Sequence, residues 1–170
     1  MTPEARDVVL SMAVVPGLGR ACSPEDVLSY FRTDDGQKLG LELLRDAVGR
    51  SDAADVEMAL IVGSVFGFSA ECGDLLVELC TADWHVKHED VAVALGVLRS
   101  ASAVDGLRRL VERVPEYLEF DEGRALARKA IRALGRIPGP QAEQVLLRLA
   151  EDVDETVREF AVTALERRSG

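Results

Sequence analysis

Apolar residues recur at three- and four-residue spacing in four segments of the chain that align with one another. The segments are DVEMALIVGSV from residue 55, EDVAVALGVL from 89, RKAIRALGRI from 128 and REFAVTALERR from 158. In each, alanine and larger apolar residues lead into one aligned position, which holds Gly63, Gly96, Gly135 and finally Glu166. This spacing predicts amphipathic helices, and the offsets of 33, 39 and 31 residues between the aligned positions predict a helical repeat.

A second amphipathic segment follows each of the first three. These segments read GDLLVELC, DGLRRLVERV and EQVLLRLAED, so the predicted repeating unit is a pair of helices. Since neither helix of a pair can bury its apolar stripe alone, neighbouring pairs must stack. We therefore expect an all-α fold, an α-solenoid of stacked antiparallel helix pairs with about nine or ten helices.

The two ends of the chain differ from the repeats. In the N-terminal third, Ser23 is a predicted N-cap, with Pro24 at the first helical position and Asp26 reaching back in a capping box. We predict one domain over residues 1–170, with irregular helices in 1–50, repeats in 51–170 and a terminal capping helix over about 155–168. That last helix carries an apolar face of Val157, Phe160, Ala161, Ala164 and Leu165.

Composition agrees with helices packed on helices. Leu, Val and Ala dominate the apolar residues, whereas only 5% of the chain is aromatic. Cys22, Cys72 and Cys80 are an odd number without CxxC spacing, which favours reduced thiols and a cytoplasmic location over disulfides or a thiolate zinc site. No apolar run has the length of a membrane span, so we expect no membrane partner.

Negative charge is concentrated in the middle of the chain. The formal net charge is −10, and residues 51–100 hold nine carboxylates against only Lys87 and Arg99. This balance argues against nucleic acid as a partner, because its binders cluster Lys and Arg. It fits a protein partner with a basic surface, or simply a solvated surface. The nine carboxylates are Asp52, Asp55, Glu57, Glu71, Asp74, Glu78, Asp83, Glu89 and Asp90.

The run DVDETVREFAVTALER, from Asp152, resembles the HEAT-repeat pattern, in which an acidic turn precedes a Val-Arg step and alanines at helical spacing. The resemblance extends over roughly residues 55–170 and implies the solenoid fold. It implies little about activity, because helical solenoids host many unrelated functions.

Two further stretches, DWHVKHED and YLEFDEGRALARKAIRALG, resemble motifs of a bacterial family of small HEAT-repeat proteins. The function of that family is unassigned, and some such proteins are suspected of neutralising toxins as immunity proteins. The resemblance implies that nine positions belong together, and we assign them to a binding site. They are Trp84, His85, His88, Glu89, Asp90, Tyr117, Asp121, Glu122 and Lys129.

The stretch DWHVKHED has two interpretations. Both histidines of the chain lie there, and His85, His88, Glu89 and Asp121 would be an adequate ligand set for a divalent metal, the one cofactor to consider. Alternatively, Glu89 and Asp90 lie in the first turn of a helix, where carboxylates complement the helix dipole, and the histidines hydrogen-bond the preceding loop. We favour the second interpretation and expect no cofactor.

No nucleophile motif or phosphate-binding loop is present, so an enzyme is the less favoured class. The main hypothesis is a non-catalytic protein-binding module with an immunity or regulatory role, with Trp84 and Tyr117 as anchors in the interface. The alternative is a metal-dependent enzyme or metal-binding protein. A basic set at helical spacing is interpreted as a solvated face that pairs with nearby glutamates, although it could also bind an acidic ligand. The set is Arg124, Arg128, Lys129, Arg132 and Arg136.

Overall fold

The computed structural model describes residues 1–13, 21–113 and 124–169 of the chain. These residues form ten α-helices and one short 3-10 helix, and none of them lies in a β-strand. The all-α helical-repeat fold and the expected number of helices are confirmed. Contacts divide the chain into two compact units, Met1–Cys72 and Gly73–Gly170. The single domain over residues 1–170 stays a prediction.

The first unit contains four helices: α1 (Pro3–Met12), α2 (Pro24–Phe31), α3 (Gly36–Arg50) and α4 (Ala53–Phe66). Helix α4 packs along α3 and also contacts α1. Apolar side chains from all four helices form one buried cluster, and its members are Val9, Met12, Val27, Leu39, Met58 and Val62.

Helix α2 begins as its sequence predicts. The Ser23 hydroxyl accepts a hydrogen bond from the backbone N–H of Asp26, and the Asp26 carboxylate accepts one of 3.0 Å from the backbone N–H of Ser23. Pro24 occupies the first turn, where its missing N–H leaves no helical bond unmade. The capping box is therefore confirmed.

Helix α4 carries a buried carboxylate in its first turn. Asp55 is 1% exposed and is bound by Arg6, at 2.7 Å, by Arg50, at 2.5 Å, and by the amino group of Met1. Burial by itself would raise the pKa of Asp55, but the three cationic donors together hold it well below its usual range. Asp52 pairs with the same two arginines. Two carboxylates of the acidic middle are thus neutralised inside the first unit.

The second unit is built around one helix. Its elements are α5 (Cys72–Leu79, which starts at the last residue of the first unit), α6 (His88–Leu98), a 3-10 helix (Ala101–Ala103), α7 (Val104–Glu112), α8 (Ala125–Arg136), α9 (Pro140–Leu149) and α10 (Glu155–Ser169). Helix α8 packs against α6, α7, α9 and α10. Three elements that the sequence aligned with one another, α6, α8 and α10, are therefore neighbours along the unit.

The aligned glycines lie where these helices approach one another. A Cβ atom on Gly96 would stand 2.9 Å from the Cβ of Ala133 in α8, which is closer than real Cβ atoms come. A Cβ atom on Gly135 would stand 3.3 Å from the Cβ of Ala164 in α10. Gly96 and Gly135 are thus small residues at positions where the next helix packs, whereas a Cβ atom on Gly63 would meet the ring of Phe68, which follows α4.

Three bridging arginines, Arg113, Arg124 and Arg168, link elements of the second unit through backbone carbonyls. Arg113 donates to the carbonyl of Ala82 at 3.3 Å, and Arg124 donates to that of Val111 at 3.1 Å. From the last helix, Arg168 donates to four carbonyls at or just beyond the end of α8, and the shortest bond, 2.5 Å, is to Ile137. Among the acceptors, Val111 and Gly135 lie in the last turns of α7 and α8, where a helix end leaves carbonyls without intrahelical partners.

The last helix has the face expected of it. Val157, Ala161 and Ala164 are buried, while Phe160 and Leu165 are half-buried. The Asp154 carboxylate caps its N-terminal turn by accepting from the backbone N–H groups of the next residues in that turn. Among the described helices, none combines the length and apolar character needed to cross a membrane.

Candidate functional site

His85 lies in the turn between α5 and α6 and is 2% exposed. Its Nε2 is 2.9 Å from the carbonyl oxygen of Leu79, and its Nδ1 is 3.0 Å from the backbone nitrogen of Lys87. A carbonyl only accepts and a backbone N–H only donates, so the ring must be neutral with its proton on Nε2. Both ring nitrogens are therefore engaged with backbone groups.

His88 is the first residue of α6 and is fully buried. Its Nε2 donates to the carbonyl of Ala82 at 2.8 Å, the same carbonyl that Arg113 reaches. The two imidazole rings stack, with centroids 4.2 Å apart and planes 23° from parallel. His85 thus links the turn to the end of α5, and His88 links the start of α6 to the turn; we call this arrangement the histidine joint.

The environment of the joint disfavours positive charge. The pKa of His88 is lowered to about 4, mainly by burial; the hydrogen bond to Ala82 opposes this shift, and the neighbouring His85 ring and Arg113 guanidinium add to it. Burial and Arg113 also lower the pKa of His85. At neutral pH both rings are uncharged.

The remaining polar residues of DWHVKHED behave as helix-start residues. Glu89 and Asp90 lie in the first turn of α6, as the second interpretation of the stretch expects. Glu89 forms an ion pair of 3.3 Å with Lys129 of α8, and Asp90 is exposed. The pair joins two of the nine positions that the resemblance placed together.

Among residues 1–13, 21–113 and 124–169, no three His, Cys, Asp or Glu side chains stand where they could hold one metal ion. Asp121, the fourth member of the candidate ligand set, lies outside the described residues, as do Tyr117 and Glu122. The metal site therefore stays a prediction. As placed, the ring of His85 offers no free lone pair to a metal, because Nδ1 accepts from Lys87.

The Trp84 ring packs edge-on against the His85 ring of the histidine joint. Its ring centroid is 5.3 Å from that of His85 with the planes 68° apart, and the side chain is half-buried. Cys80, at the end of α5, is buried, and burial raises the pKa of its thiol to about 12. A thiol that stays protonated at neutral pH is a poor nucleophile.

Within residues 73–100 of the second unit, four carboxylates are exposed, and none of them forms an ion pair with a described basic side chain: Asp74, Glu78, Asp83 and Asp90. We call them the acidic set. Asp74 and Glu78 stand one turn apart and so share one face of α5. Asp55 and Asp52, which the sequence analysis counted with them, do not belong to this set because they are bound by Arg6 and Arg50.

A second charged feature is a groove of about 920 Å³ along α8 and α10. Six basic side chains line it, and we call it the arginine groove: Arg99, Arg128, Lys129, Arg132, Arg136 and Arg167. The five arginines are exposed and form no ion pair within the part of the chain that the structure describes. Among the described residues, Lys129 alone of the six has an acidic partner, which is Glu89.

For three members of the basic set, the predicted pairing with glutamates is not found within the part of the chain that the structure describes, and it stays a prediction. Arg128, Arg132 and Arg136 lack carboxylate partners among the described residues. Arg124 does pair, with Asp154 at 3.3 Å. Sequence analysis missed Arg99 and Arg167, because they come from the ends of other helices, and only the packing of the unit brings them to the groove.

The second unit has the features of a helical-repeat protein. Corresponding helices are neighbours, small residues lie where they pack, and arginines link their ends. Residues 114–170 of the chain match the family model for HEAT repeats. No curated protein and no solved structure matches the chain. HEAT repeats generally mediate contacts between proteins, and the resemblance in DVDETVREFAVTALER lies inside the matched range.

Proposed function

We propose that this protein is a non-catalytic protein-binding module whose acidic set meets a basic surface of its partner, in an immunity or regulatory role. The observation that carries the proposal is the pair Asp74 and Glu78, two exposed carboxylates on one face of α5 without a basic neighbour among the described residues. The match of the C-terminal residues to HEAT repeats supports the class of function.

Exposed charges of one sign act mainly on the rate of association. They attract an oppositely charged partner before contact, and salt weakens this attraction over about 8 Å at physiological ionic strength. Solvated rim carboxylates contribute less to the lifetime of a complex than a desolvated aromatic anchor does. Trp84 is half-buried and lies close to Asp83 in sequence, so we assign it the anchoring role together with Tyr117.

The test compares two variants with the same change of net charge. The first carries Asp74→Lys and Glu78→Lys, and the matched control carries Glu42→Lys and Glu151→Lys, two exposed carboxylates elsewhere. Protein captured by the immobilised wild type is quantified by mass spectrometry at low and at physiological salt. We expect the first variant to lose the salt-sensitive partner and the control to keep it. Equal capture by both variants at equal thermal stability would rule out the acidic set.

The immunity role has a separate test. The product of a neighbouring gene is expressed in a bacterial host with and without this protein, and growth is measured. Rescue of growth by the wild type and failure of the Asp74→Lys, Glu78→Lys variant would support neutralisation through the acidic set. A neighbouring product that is harmless alone would leave a regulatory role as the remaining form of the proposal.

The metal-dependent alternative is tested by elemental analysis. Untagged protein, purified without chelator, is compared with the variant in which His85→Ala and His88→Ala are combined. We expect far less than one equivalent of zinc, iron or manganese in both, because His85 uses both nitrogens for backbone bonds. Near-stoichiometric metal that disappears in the double variant would establish the alternative.

A further inference from the structure

We propose that the arginine groove binds an acidic peptide segment of a partner protein. The inference rests on the proposed function as a protein-binding module and assigns a second contact surface, opposite in charge to the acidic set. It concerns only the second unit, since the groove is lined by Arg99, which directly follows α6, and by residues of α8 and α10.

The first argument is the charge stripe on α8. Arg128, Arg132 and Arg136 follow one another at four-residue spacing, so they lie along one side of the helix about 6 Å apart. Like charges at this spacing destabilise a helix. The first turn of α8 contains no acidic residue, and Arg128 lies near the positive end of the helix dipole, where a cation is unfavourable.

No described carboxylate offsets these repulsions. Of the acidic side chains described, Glu89 reaches Lys129 and Asp154 reaches Arg124, but none reaches the three arginines of the stripe. Binding sites often keep unfavourable local charge that a ligand then compensates. Carboxylates of a ligand would supply the missing partners, and the planar guanidinium group suits them because it can hold both oxygens of a carboxylate.

The second argument is the apolar lining between the charges. Phe160, which is half-buried, lines the same groove, and Val93 of α6, which is 46% exposed, lines a smaller adjoining pocket with Arg132 and Arg136. A ligand that fits therefore carries apolar side chains as well as carboxylates. Alternate residues of an extended peptide lie about 6.6–6.8 Å apart, so acidic residues at every second position match the spacing of the stripe.

Nucleic acid fits the same observations less well. A phosphate backbone presents charge but no aliphatic side chains to the exposed Val93. The formal net charge of −10 also repels an extended polyanion at long range, whereas a short acidic segment carries less charge.

The experiment measures binding of labelled synthetic peptides to the full chain by fluorescence anisotropy. One peptide of about ten residues has glutamate at every second position with leucine or alanine between, a second has the same composition with its glutamates in one block, and a third has lysine in place of glutamate. Single-stranded and duplex DNA oligonucleotides of similar charge are measured beside them. We expect the alternating peptide to bind best, and more weakly as salt rises.

The groove variant combines Arg128→Glu with Arg132→Glu, and the matched control combines Arg45→Glu with Arg148→Glu, two exposed arginines outside the groove. We expect the groove variant to bind the alternating peptide about tenfold more weakly or worse, and the control to bind within about twofold of wild type. The groove variant should also melt no lower than wild type, because it removes like-charge repulsion. If it melts lower, Arg128→Gln with Arg132→Gln gives the same comparison.

Equal binding by groove and control variants would overturn the proposal. So would an oligonucleotide that binds more tightly than the alternating peptide and loses that binding in the groove variant. Replacing Asp74 and Glu78 by lysine should leave peptide binding intact. Failure of the groove proposal is thus distinguishable from failure of the proposed function, which depends on those two carboxylates.

Discussion

Acidification between pH 6.5 and about 4 should destabilise this protein through its histidine joint. The chain has two histidines, and both are buried with their Nε2 protons on backbone carbonyls. In an unfolded chain a histidine protonates near pH 6.5. In the folded protein burial lowers the pKa of His88 to about 4 and also lowers that of His85.

The direction and size of the effect follow from these values. Above pH 6.5 the rings are neutral in both states, so the full stability is present. As the pH falls from 6.5 towards 4, the unfolded chain binds protons that the folded protein does not, and the free energy of unfolding decreases. A difference of about 2.5 pKa units for His88 corresponds to a loss of about 3 kcal/mol at about pH 4. This is a large part of the 5–15 kcal/mol typical of a domain.

The assay is urea denaturation followed by circular dichroism at a series of pH values from about 7.5 to about 4.5. Carboxylates of the unfolded chain protonate near pH 4 and contribute at the acid end of this range, so the effect of the histidines is measured between about pH 6.5 and about pH 5.5 and by comparison with the His88 variant. The variant His88→Gln is expected to be less stable at pH 7.5, since the stacked ring is lost, but to lose less stability on acidification. A wild type whose unfolding free energy is constant from pH 7 to 4.5 would refute the reasoning, as would an unchanged slope in the variant.

Two further predictions concern packing and the buried carboxylate. Asp55→Asn should lower the free energy of unfolding by about 2–3 kcal/mol in urea denaturation, because two arginines lose a buried partner, whereas Asp46→Asn at the exposed end of the same network should have little effect. Gly96→Ala should lower it by about 1–3 kcal/mol, because the new Cβ would meet Ala133, whereas Gly49→Ala, with open space around it, should stabilise by about 0.5–1 kcal/mol. The reverse order within either pair of variants would contradict the contacts described.

Much of the fold could be predicted from the sequence because it depends on interactions between residues that are close in sequence. Apolar spacing marks the helices, and Ser23 with Pro24 marks a helix start whatever lies elsewhere in the chain. The aligned glycines predict repetition, although their physical reason, contact with a small residue such as Ala133, appears only in the packed unit. Local signals succeed where the partners of a residue are its neighbours in sequence.

The candidate site was less predictable because its decisive partners are distant in the chain. In the sequence nothing distinguishes Asp55 from the other carboxylates. In the structure it is buried in an ion pair with Arg6, which lies 49 residues away in the chain. Arg124 and Arg128 stand one turn apart with similar sequence surroundings, but one binds Asp154 and a carbonyl while the other faces a groove. Residue type and spacing cannot separate these outcomes, since the difference is set by which helix packs alongside.

The bridging arginines bear on how this protein unfolds. Arg168 of α10 donates hydrogen bonds to carbonyls at the end of α8. When the last helix melts, these carbonyls lose that donor, so the end of α8 is destabilised as well. In a linear array of repeats, cooperativity is set by how strongly each repeat depends on the next one. Two helices held only by apolar contacts can slide past each other at little cost. Where a guanidinium donates to a particular carbonyl, sliding must break a directional hydrogen bond. The hydrogen bonds of Arg113, Arg124 and Arg168 therefore couple neighbouring helices and favour cooperative unfolding of the unit over the fraying of one helix at a time.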